Sequence, residues 1–263
     1  MNSFHLFDFL PIWIIFFGLL VFILICTWMG VAFVRSRKDS NKVTELGHLN
    51  AVVGAILGLV AFILALSFSL ATSRFDARKA YLLQEVNAIE TTWFRTGLIS
   101  EPQRSNVKEL LLELVRLRIE SAKQPEKLQE IIGQSNLVQQ KIWYHVTELS
   151  KNEQRNDAFN ALFVEAVNEM FDDQTKRLTV TINQQIPPLM WALFFLLLMI
   201  AMFAVGYLFG KKKHIDWNVI LALALAFSAV VCVIIDLESN SPGGLIRINY
   251  EPIFELYERL LNG

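Results

Sequence analysis

Residues 49–72 read LNAVVGAILGLVAFILALSFSLAT, a stretch without a single charged side chain. At about 1.5 Å per helical residue it covers the roughly 30 Å hydrocarbon core of a bilayer. Water is absent there, so the backbone must satisfy its own polar groups, and at this length a helix is the solution. Small residues recur along one side, Gly54, Gly58, Ala61 and Ala65, with Thr72 seven residues further. Gly54 and Gly58 form the small-xxx-small spacing that lets two helices approach closely. Gly54, Gly58, Ala61, Phe62, Ala65, Leu66, Phe68 and Ser69 are therefore the candidates for helix packing or pore lining. Packing inside the monomer, a subunit interface and a pore lining are all open. Ser67, Ser69 and Ser73 add hydroxyls, which can also bond their own helix carbonyls.

Three more apolar blocks lie at about 11–34, 188–210 and 217–237, the last charged only at Asp236 near its end. Overall the chain is 54% hydrophobic and 19% charged, against about 45–50% and about 25% for soluble domains. The excess sits in the four blocks. The expected fold is an all-α membrane protein: four transmembrane helices with an antiparallel four-helix bundle inserted between the second and third. Its segments are a first hairpin at 1–73, the bundle at 74–187, a second hairpin at 188–237, and a tail at 238–263 with a turn, a short strand and an amphipathic helix. The block at 11–34 is read as a span rather than a signal peptide, because residues 1–10 carry no Lys or Arg. Trp13, Trp191 and Trp217 stand near span ends, where amphipathic rings favour the interface.

Orientation follows from Lys and Arg in short loops. Arg35, Arg37, Lys38 and Lys42 follow the first span, and Lys211, Lys212 and Lys213 follow the third. These loops share one side, expected to be cytoplasmic, which leaves both termini and the insert outside. Arg74, Arg78, Lys79, Lys176, Arg177 and Arg247 stand on the opposite side, spread over longer stretches.

The insert reads as four helices. Leu82, Val86, Ile89 and Trp93 continue the second span at helical spacing. Ser100 with Pro102 marks a cap and a first-turn proline for the next helix, which runs to about Lys123. Pro125 opens the third, with Leu128, Ile131, Ile132, Val138, Ile142, Val146 and Leu149 as its stripe. The fourth starts near Asp157 and carries Phe159, Leu162, Phe163, Ala166, Val167, Met170 and Phe171. Such stripes bury against one another. Pro187 and Pro188 break the chain before the third span. Counted along residues 73–185, 15 Lys and Arg interleave with 16 Asp and Glu, which reads as a solvated face.

Chemistry is hard to find. His5, His48, His145 and His214 are far apart, and none has a His or Cys at ligand spacing. Cys26 and Cys232 fall in apolar blocks at different depths, which argues against a disulfide. Asp172 and Asp173 are adjacent and point apart on a helix, a poor acid–base pair. Phosphate loops, nucleophile elbows and dinucleotide fingerprints are missing from the sequence. No catalytic residue, metal site or cofactor is expected. A net charge of −1 gives no basic surface for nucleic acid. The span centres hold no ionisable residue, which weakens a coupled-transporter reading. A passive pore gated by apolar side chains stays compatible. In the tail, residues 241–244 are a turn signal, 245–250 alternate as a short strand, and 252–261 form an amphipathic helix.

Several separated motifs occur together: Leu66-Ser-Phe-Ser-Leu-Ala-Thr-Ser-Arg-Phe-Asp-Ala-Arg78, Glu85-Val-Asn-Ala-Ile89, Leu98-Ile-Ser-Glu-Pro-Gln-Arg104, Asp236, and Gly244-Leu-Ile-Arg-Ile-Asn-Tyr-Glu-Pro252. In their order they resemble the bestrophin-like family of bacterial membrane proteins, from Leu49 to the end. The positions carrying the resemblance include Arg74, Phe75, Asp76, Arg78, Glu85, Asn87, Asp236, Gly244, Arg247 and Pro252. The resemblance implies kinship with bestrophins, homo-pentameric anion channels whose second span lines the pore with an apolar neck followed by an Arg and aromatics. Matching Arg74-Phe75 to that pair places Phe62 and Leu66 at neck-like positions. The sequence departs from the pattern twice. The charge bias puts the insert outside rather than in the cytoplasm, and no acidic cluster follows the fourth span to form a calcium clasp.

Two functions are compatible with these features. One is a homo-oligomeric, anion-permeable channel in the bacterial plasma (inner) membrane, with the lipid bilayer, an anion and further copies of the chain as partners. The other is a non-conducting envelope sensor or scaffold that acts through its helical bundle on an unidentified protein partner.

Overall fold

The computed structural model describes residues 10–36, 46–149, 157–183, 187–212, 214–239 and 244–262. Their α-helices are α1 (Ile12–Ser36), α2 (Leu46–Arg95), α3 (Gln103–Lys123), α4 (Leu128–Leu149), α5 (Asp157–Asn183), α6 (Pro188–Gly210), α7 (Trp217–Glu238) and α8 (Glu251–Asn262). Short 3-10 turns occupy Thr96–Leu98 and Pro125–Lys127. Among the described residues there is no strand. Four helices are long and apolar enough to cross a membrane: α1, α2, α6 and α7. Arg37, Lys38, Lys42, Lys213 and the first three residues of the 241–244 turn lie outside the described residues.

The chain divides into two compact units. One comprises Met1–Phe75 with Gln185–Arg247, the other Asp76–Gln184 with Ile248–Gly263. Residues after Arg247 belong to the second unit.

In the first unit α1 packs against α6 and α7. The close approach is made by glycines that the spacing argument passed over. A Cβ on Gly30 would strike the Phe203 carbonyl and come 2.7 Å from the Tyr207 nitrogen. One on Gly206 would strike the Thr27 carbonyl, and one on Gly210 would come 3.1 Å from the Val31 Cα. Gly206 and Gly210 form a small-xxx-small pair, the arrangement that brings backbones together where hydrophobic association gives no driving force. The buried Thr27 hydroxyl donates to the Ile23 carbonyl of its own helix at 2.9 Å. Ile23, Leu198, Met202, Ile220 and Ile234 are the largest fully buried side chains here. Cys26 and Cys232 are both buried and free. The Cys232 thiol donates to the Ile12 carbonyl at 3.9 Å, whereas Cys26 lies roughly 20 Å further along α1 at about 1.5 Å per residue.

In the second unit the predicted stripe Leu82, Val86, Ile89 and Trp93 is buried. It packs with Val107, Leu111, Leu114, Ile131, Ile142, Phe163 and Met170 in one core. Phe159 and Leu162, expected on the α5 stripe with Phe163 and Met170, are exposed instead. Ser100 does not cap α3 with its hydroxyl. Pro102 occupies the cap position, and the Glu101 carboxylate accepts the Ser105 backbone N–H at 3.2 Å and its hydroxyl at 2.7 Å. α8 docks by Ile253, Leu256 and Leu260 into the same core. Its Tyr257 hydroxyl accepts from Arg116 at 2.8 Å.

The expected strand at 245–250 is absent. The backbone N–H groups of Leu245 and Ile246 are taken by the Asp236 carboxylate, at 3.0–3.1 and 2.7 Å. Groups committed to a carboxylate cannot enter a sheet ladder.

Candidate functional site

Two places in the molecule hold the residues singled out by the sequence, one in each unit. In the first unit, Val53, Val60, Leu64 and Ala71 form the buried stripe of α2. They recur at i, i+7, i+11 and i+18, so only a narrow face is packed. Gly54, Gly58, Ala61 and Ala65 fall about a third of a turn away and are all exposed. A Cβ on Gly54 or Gly58 would meet nothing within 4 Å. Packing inside the monomer therefore does not account for the small-residue face. Phe62 and Ser69 fall on the side opposite the buried stripe. Phe62 is 61% exposed, and Leu66, Phe68 and Ser69 are exposed with it. In the most apolar window of α2 only 17% of residues are buried, against 33–39% in the other three spans. It is the least covered of the four.

Beyond this face the helix becomes polar. Thr72 donates to the Phe68 carbonyl of its own helix at 2.9 Å. Arg74 on α2 donates through one nitrogen to both Glu238 oxygens on α7, at 3.1 and 3.2 Å. Phe75 packs on the apolar core of the unit. The Arg-aromatic pair that anchored the family match is thus engaged within the chain. Asp236 is 3% exposed and grips the Leu245–Ile246 backbone, while Arg247 donates to the Gly244 carbonyl at 3.0 Å. Asp236, Gly244 and Arg247 therefore meet as an anchored turn after α7. Pro252 sits in the first turn of α8, where its missing N–H costs no helical bond. The Asn249 side chain caps that helix by accepting the Glu251 N–H at 2.9 Å.

The second place was not foreseen. Several charges of the insert are buried rather than solvated. Glu85 is 2% exposed and lies between two guanidiniums. Arg118 donates to it at 2.7 Å, and Arg177 pairs with its other oxygen. Arg118 also donates to the Ser135 hydroxyl at 2.8 Å and to the Gln174 side-chain oxygen. Gln139 donates to that same oxygen at 2.7 Å. Beside this group Asp173, 1% exposed, accepts from Gln84 at 3.0 Å and from Lys176 at 2.8 Å. Arg78 is buried as well, Asp76 and Asn87 are exposed. Helices α2, α3, α4 and α5 each supply part of the cluster.

Burial by itself would raise the Glu85 carboxyl. The charges of Arg118 and Arg177 outweigh it and hold the group below the usual carboxylate range. An ionised, doubly paired and sealed carboxylate has no proton to give near neutrality and no access to a substrate. The arrangement ties helices together rather than performing acid–base chemistry.

A periodicity argument carried one step further would have found this cluster. Glu85 continues the Leu82–Ile89 stripe, and Arg118 the stripe through Val107, Leu111 and Leu114. Asp173, Gln174 and Arg177 continue the stripe through Phe163, Ala166, Val167 and Met170. The charge count averaged over the insert concealed that these few point inward. Among the described residues no three His, Cys, Asp or Glu side chains converge as metal ligands.

The model of the bestrophin-like domain matches residues 17–252. No curated protein sequence matches the chain. Among solved structures, the crystal structure of a membrane protein aligns at TM-score 0.70 and 12% identity, covering 93% of this chain and 98% of the other. Two variants of a bacterial bestrophin homologue from Klebsiella pneumoniae both align at TM-score 0.68. One does so at 13% identity, covering 94% of this chain and 97% of the other. The second does so at 14%, covering 94% and 99%. At such identities the structures establish the shared fold, while the domain match spans nearly the whole chain: it belongs to the bestrophin-like family.

Proposed function

We propose that the chain is one subunit of a homo-oligomeric, anion-permeable channel in the bacterial plasma membrane, with the open face of α2 at its axis. The observation that carries this reading is the uncovered side of α2. Small residues gain nothing from facing lipid, but they let a second helix come close. Gly54, Gly58, Ala61 and Ala65 then serve contacts between copies, and Phe62, Leu66 and Ser69 face the pathway. An apolar ring of this kind gates by excluding water. Membership of the bestrophin-like family supports the same reading of a conduit rather than an enzyme.

The reading includes α2–α5 as an antiparallel four-helix bundle, spanning about 74–187 between hairpins at 1–73 and 188–237. Lys and Arg bias places the short loops in the cytoplasm and the bundle with both termini outside. Labelling a Glu109→Cys variant in intact cells tests the sidedness, since both native cysteines are buried. A protected thiol overturns this orientation.

Purified protein in planar bilayers tests conduction. The expected result is a chloride-selective conductance that rises when Phe62 or Leu66 is replaced by Ala. A monomeric mass in detergent together with silent bilayers overturns the proposal. One observation favours the second reading, a sensor or scaffold: α2 is a single helix of 50 residues, and such a rod can transmit a displacement. Crosslinking that captures a different protein alongside silent bilayers would select it.

A further inference from the structure

The first unit carries a groove of about 470 Å³ between Val21, Ile25 and Trp28 of α1 and Trp217, Asn218 and Leu221 of α7. It exceeds the roughly 150 Å³ that holds a benzene ring. From Val21 to Trp28 it runs about 10 Å along α1, at about 1.5 Å per residue. Apart from the Asn218 amide and the two indole N–H groups, its lining side chains are hydrocarbon. The space is long and oily, fit for a length of hydrocarbon chain and for no charged group.

The groove lies at one end of the spans. α1 and α7 are antiparallel: the Cys232 thiol meets the Ile12 carbonyl, and Trp28 meets the first turn of α7. Trp28 and Trp217 are 60% and 49% exposed. Exposed indoles are favoured where lipid chain meets headgroup. Beyond Trp28, α1 continues to Ser36. Val21, Trp28 and Arg35 recur at seven-residue steps and so share one face. Arg35 stands about 10 Å beyond Trp28. Side chains on a helix lean toward its N-terminus, which for Arg35 is the direction of Trp28. Arg35 is exposed and has no ion-pair partner among the described residues.

Lys211 and Lys212, at the neighbouring end of α6, are placed differently. Gly210 seats α6 against Val31 and Val34. The two ammoniums lie over the rings of Tyr207 and Phe209, 5.2 and 4.6 Å from the centroids. The chain around these ends is basic on balance. Residues 35–45 hold four Lys and Arg against Asp39 and Glu45, and residues 211–216 hold three Lys against Asp216. Each stretch keeps a surplus of two positive charges after its acids are counted.

We propose that this groove holds an acyl chain of an anionic phospholipid, with the lipid phosphate on Arg35. Bulky Val, Leu, Ile and Trp side chains suit a fluid chain. Another copy's helix would pack on small residues, and that face lies on α2. A chain in the groove covers both indoles, and their N–H groups can donate to the ester oxygens at its root. A guanidinium meets a phosphate with two parallel hydrogen bonds. A zwitterionic lipid would bring its own cation to an end of the molecule that already holds a positive surplus. The site depends on neither conduction nor subunit count.

The test places the full-length protein in nanodiscs of equal parts phosphatidylglycerol and phosphatidylcholine. Bromine on a lipid chain quenches a nearby indole, so brominating one lipid or the other reports which sits against Trp28 and Trp217. The expected result is a preference for phosphatidylglycerol of about fivefold or more, the effect of one cation near the membrane surface. The excess quenching disappears in the Trp28→Phe, Trp217→Phe double variant. Arg35→Gln reduces the preference by about fivefold with an unchanged melting profile, and Arg35→Lys retains part of it. Lys212→Gln, which removes the same charge, reduces it less. Equal quenching by the two lipids overturns the proposal. So does an excess that survives loss of both tryptophans. Equal losses in Arg35→Gln and Lys212→Gln overturn it too, leaving only a general attraction to the basic stretches. No quenching of Trp28 or Trp217 by either lipid, the sign of a second copy seated on the groove, overturns it as well.

Discussion

The two units bury different things. The interior of the first is apolar along its spans, with one buried carboxylate, Asp236, near the end of α7, and its helices meet through Gly30, Gly206 and Gly210. The interior of the second is apolar along most of its length but encloses Glu85 between Arg118 and Arg177. A span cannot readily carry such charges, because lipid offers no water in which to hold them before assembly. A helical unit in water can, because its unfolded charges are hydrated and only their final burial must be offset by pairing. The contrast makes the first unit sensitive to volume and the second to charge.

The largest expected effect tests the charged interior. Glu85→Ala leaves two buried guanidiniums facing each other and costs about 3–5 kcal/mol. Thermal unfolding in detergent, followed by circular dichroism, measures it. A loss near zero would mean that the cluster is hydrated and that the contrast between the units is superficial.

Acid probes the same group without mutation. The Glu85 carboxyl sits below its ordinary value of 4.5 in the folded chain. The unfolded chain therefore takes up the proton first as pH falls. The stability from ionised Glu85 is fully present above about pH 4.5 and is lost as pH drops through the lower folded value. Melting temperature should fall more steeply below that point in the parent protein than in Glu85→Gln. Parallel curves would show that other carboxylates govern acid unfolding.

A smaller effect separates the two glycine faces of the first unit. Gly206→Ala drives a methyl into the Thr27 backbone and costs about 1–3 kcal/mol. Gly58→Ala meets open space in the single chain, so the monomer's stability should stay the same. If copies assemble through α2, the same change weakens the oligomer seen by native mass measurement. An unaltered oligomer together with an unaltered monomer would remove α2 from the subunit interface.

The smallest expected effect lies within the second unit. Arg259 and Glu90 use the same side-chain types as Arg118 and Glu85, but Arg259 is half exposed. Arg259→Ala should cost only about 0.2–1 kcal/mol, read by the same melting experiment. A loss as large as that of Glu85→Ala would erase burial as the reason the two ion pairs differ.

Much of the fold was legible before any coordinates. The bounds of α6 and α7 follow from where charge stops and resumes, and Leu82, Val86, Ile89 and Trp93 announced their buried face by spacing. Gly206 and Gly210 carried the same small-residue signal as Gly54 and Gly58, yet spacing cannot say which of two such faces meets a neighbour in the chain. Glu85, Arg118 and Arg177 stood on inward stripes, but charged residues are so much commoner on surfaces that composition pointed the other way. The 245–250 alternation misled because Asp236, at the end of the preceding helix, claims the backbone donors that a strand would need.

The sequence by itself determined the four apolar spans, the helical character of the insert and the family. Those depend on local periodicity and on the cost of exposing backbone to lipid, both read from neighbouring residues. Only the tertiary structure decided which glycines touch backbone, which charges lie inside and which face of α2 stays open. Each depends on what stands across from a residue, and the partner is distant in the chain: Thr27 for Gly206, Arg118 for Glu85, and none for Gly58 among the described residues.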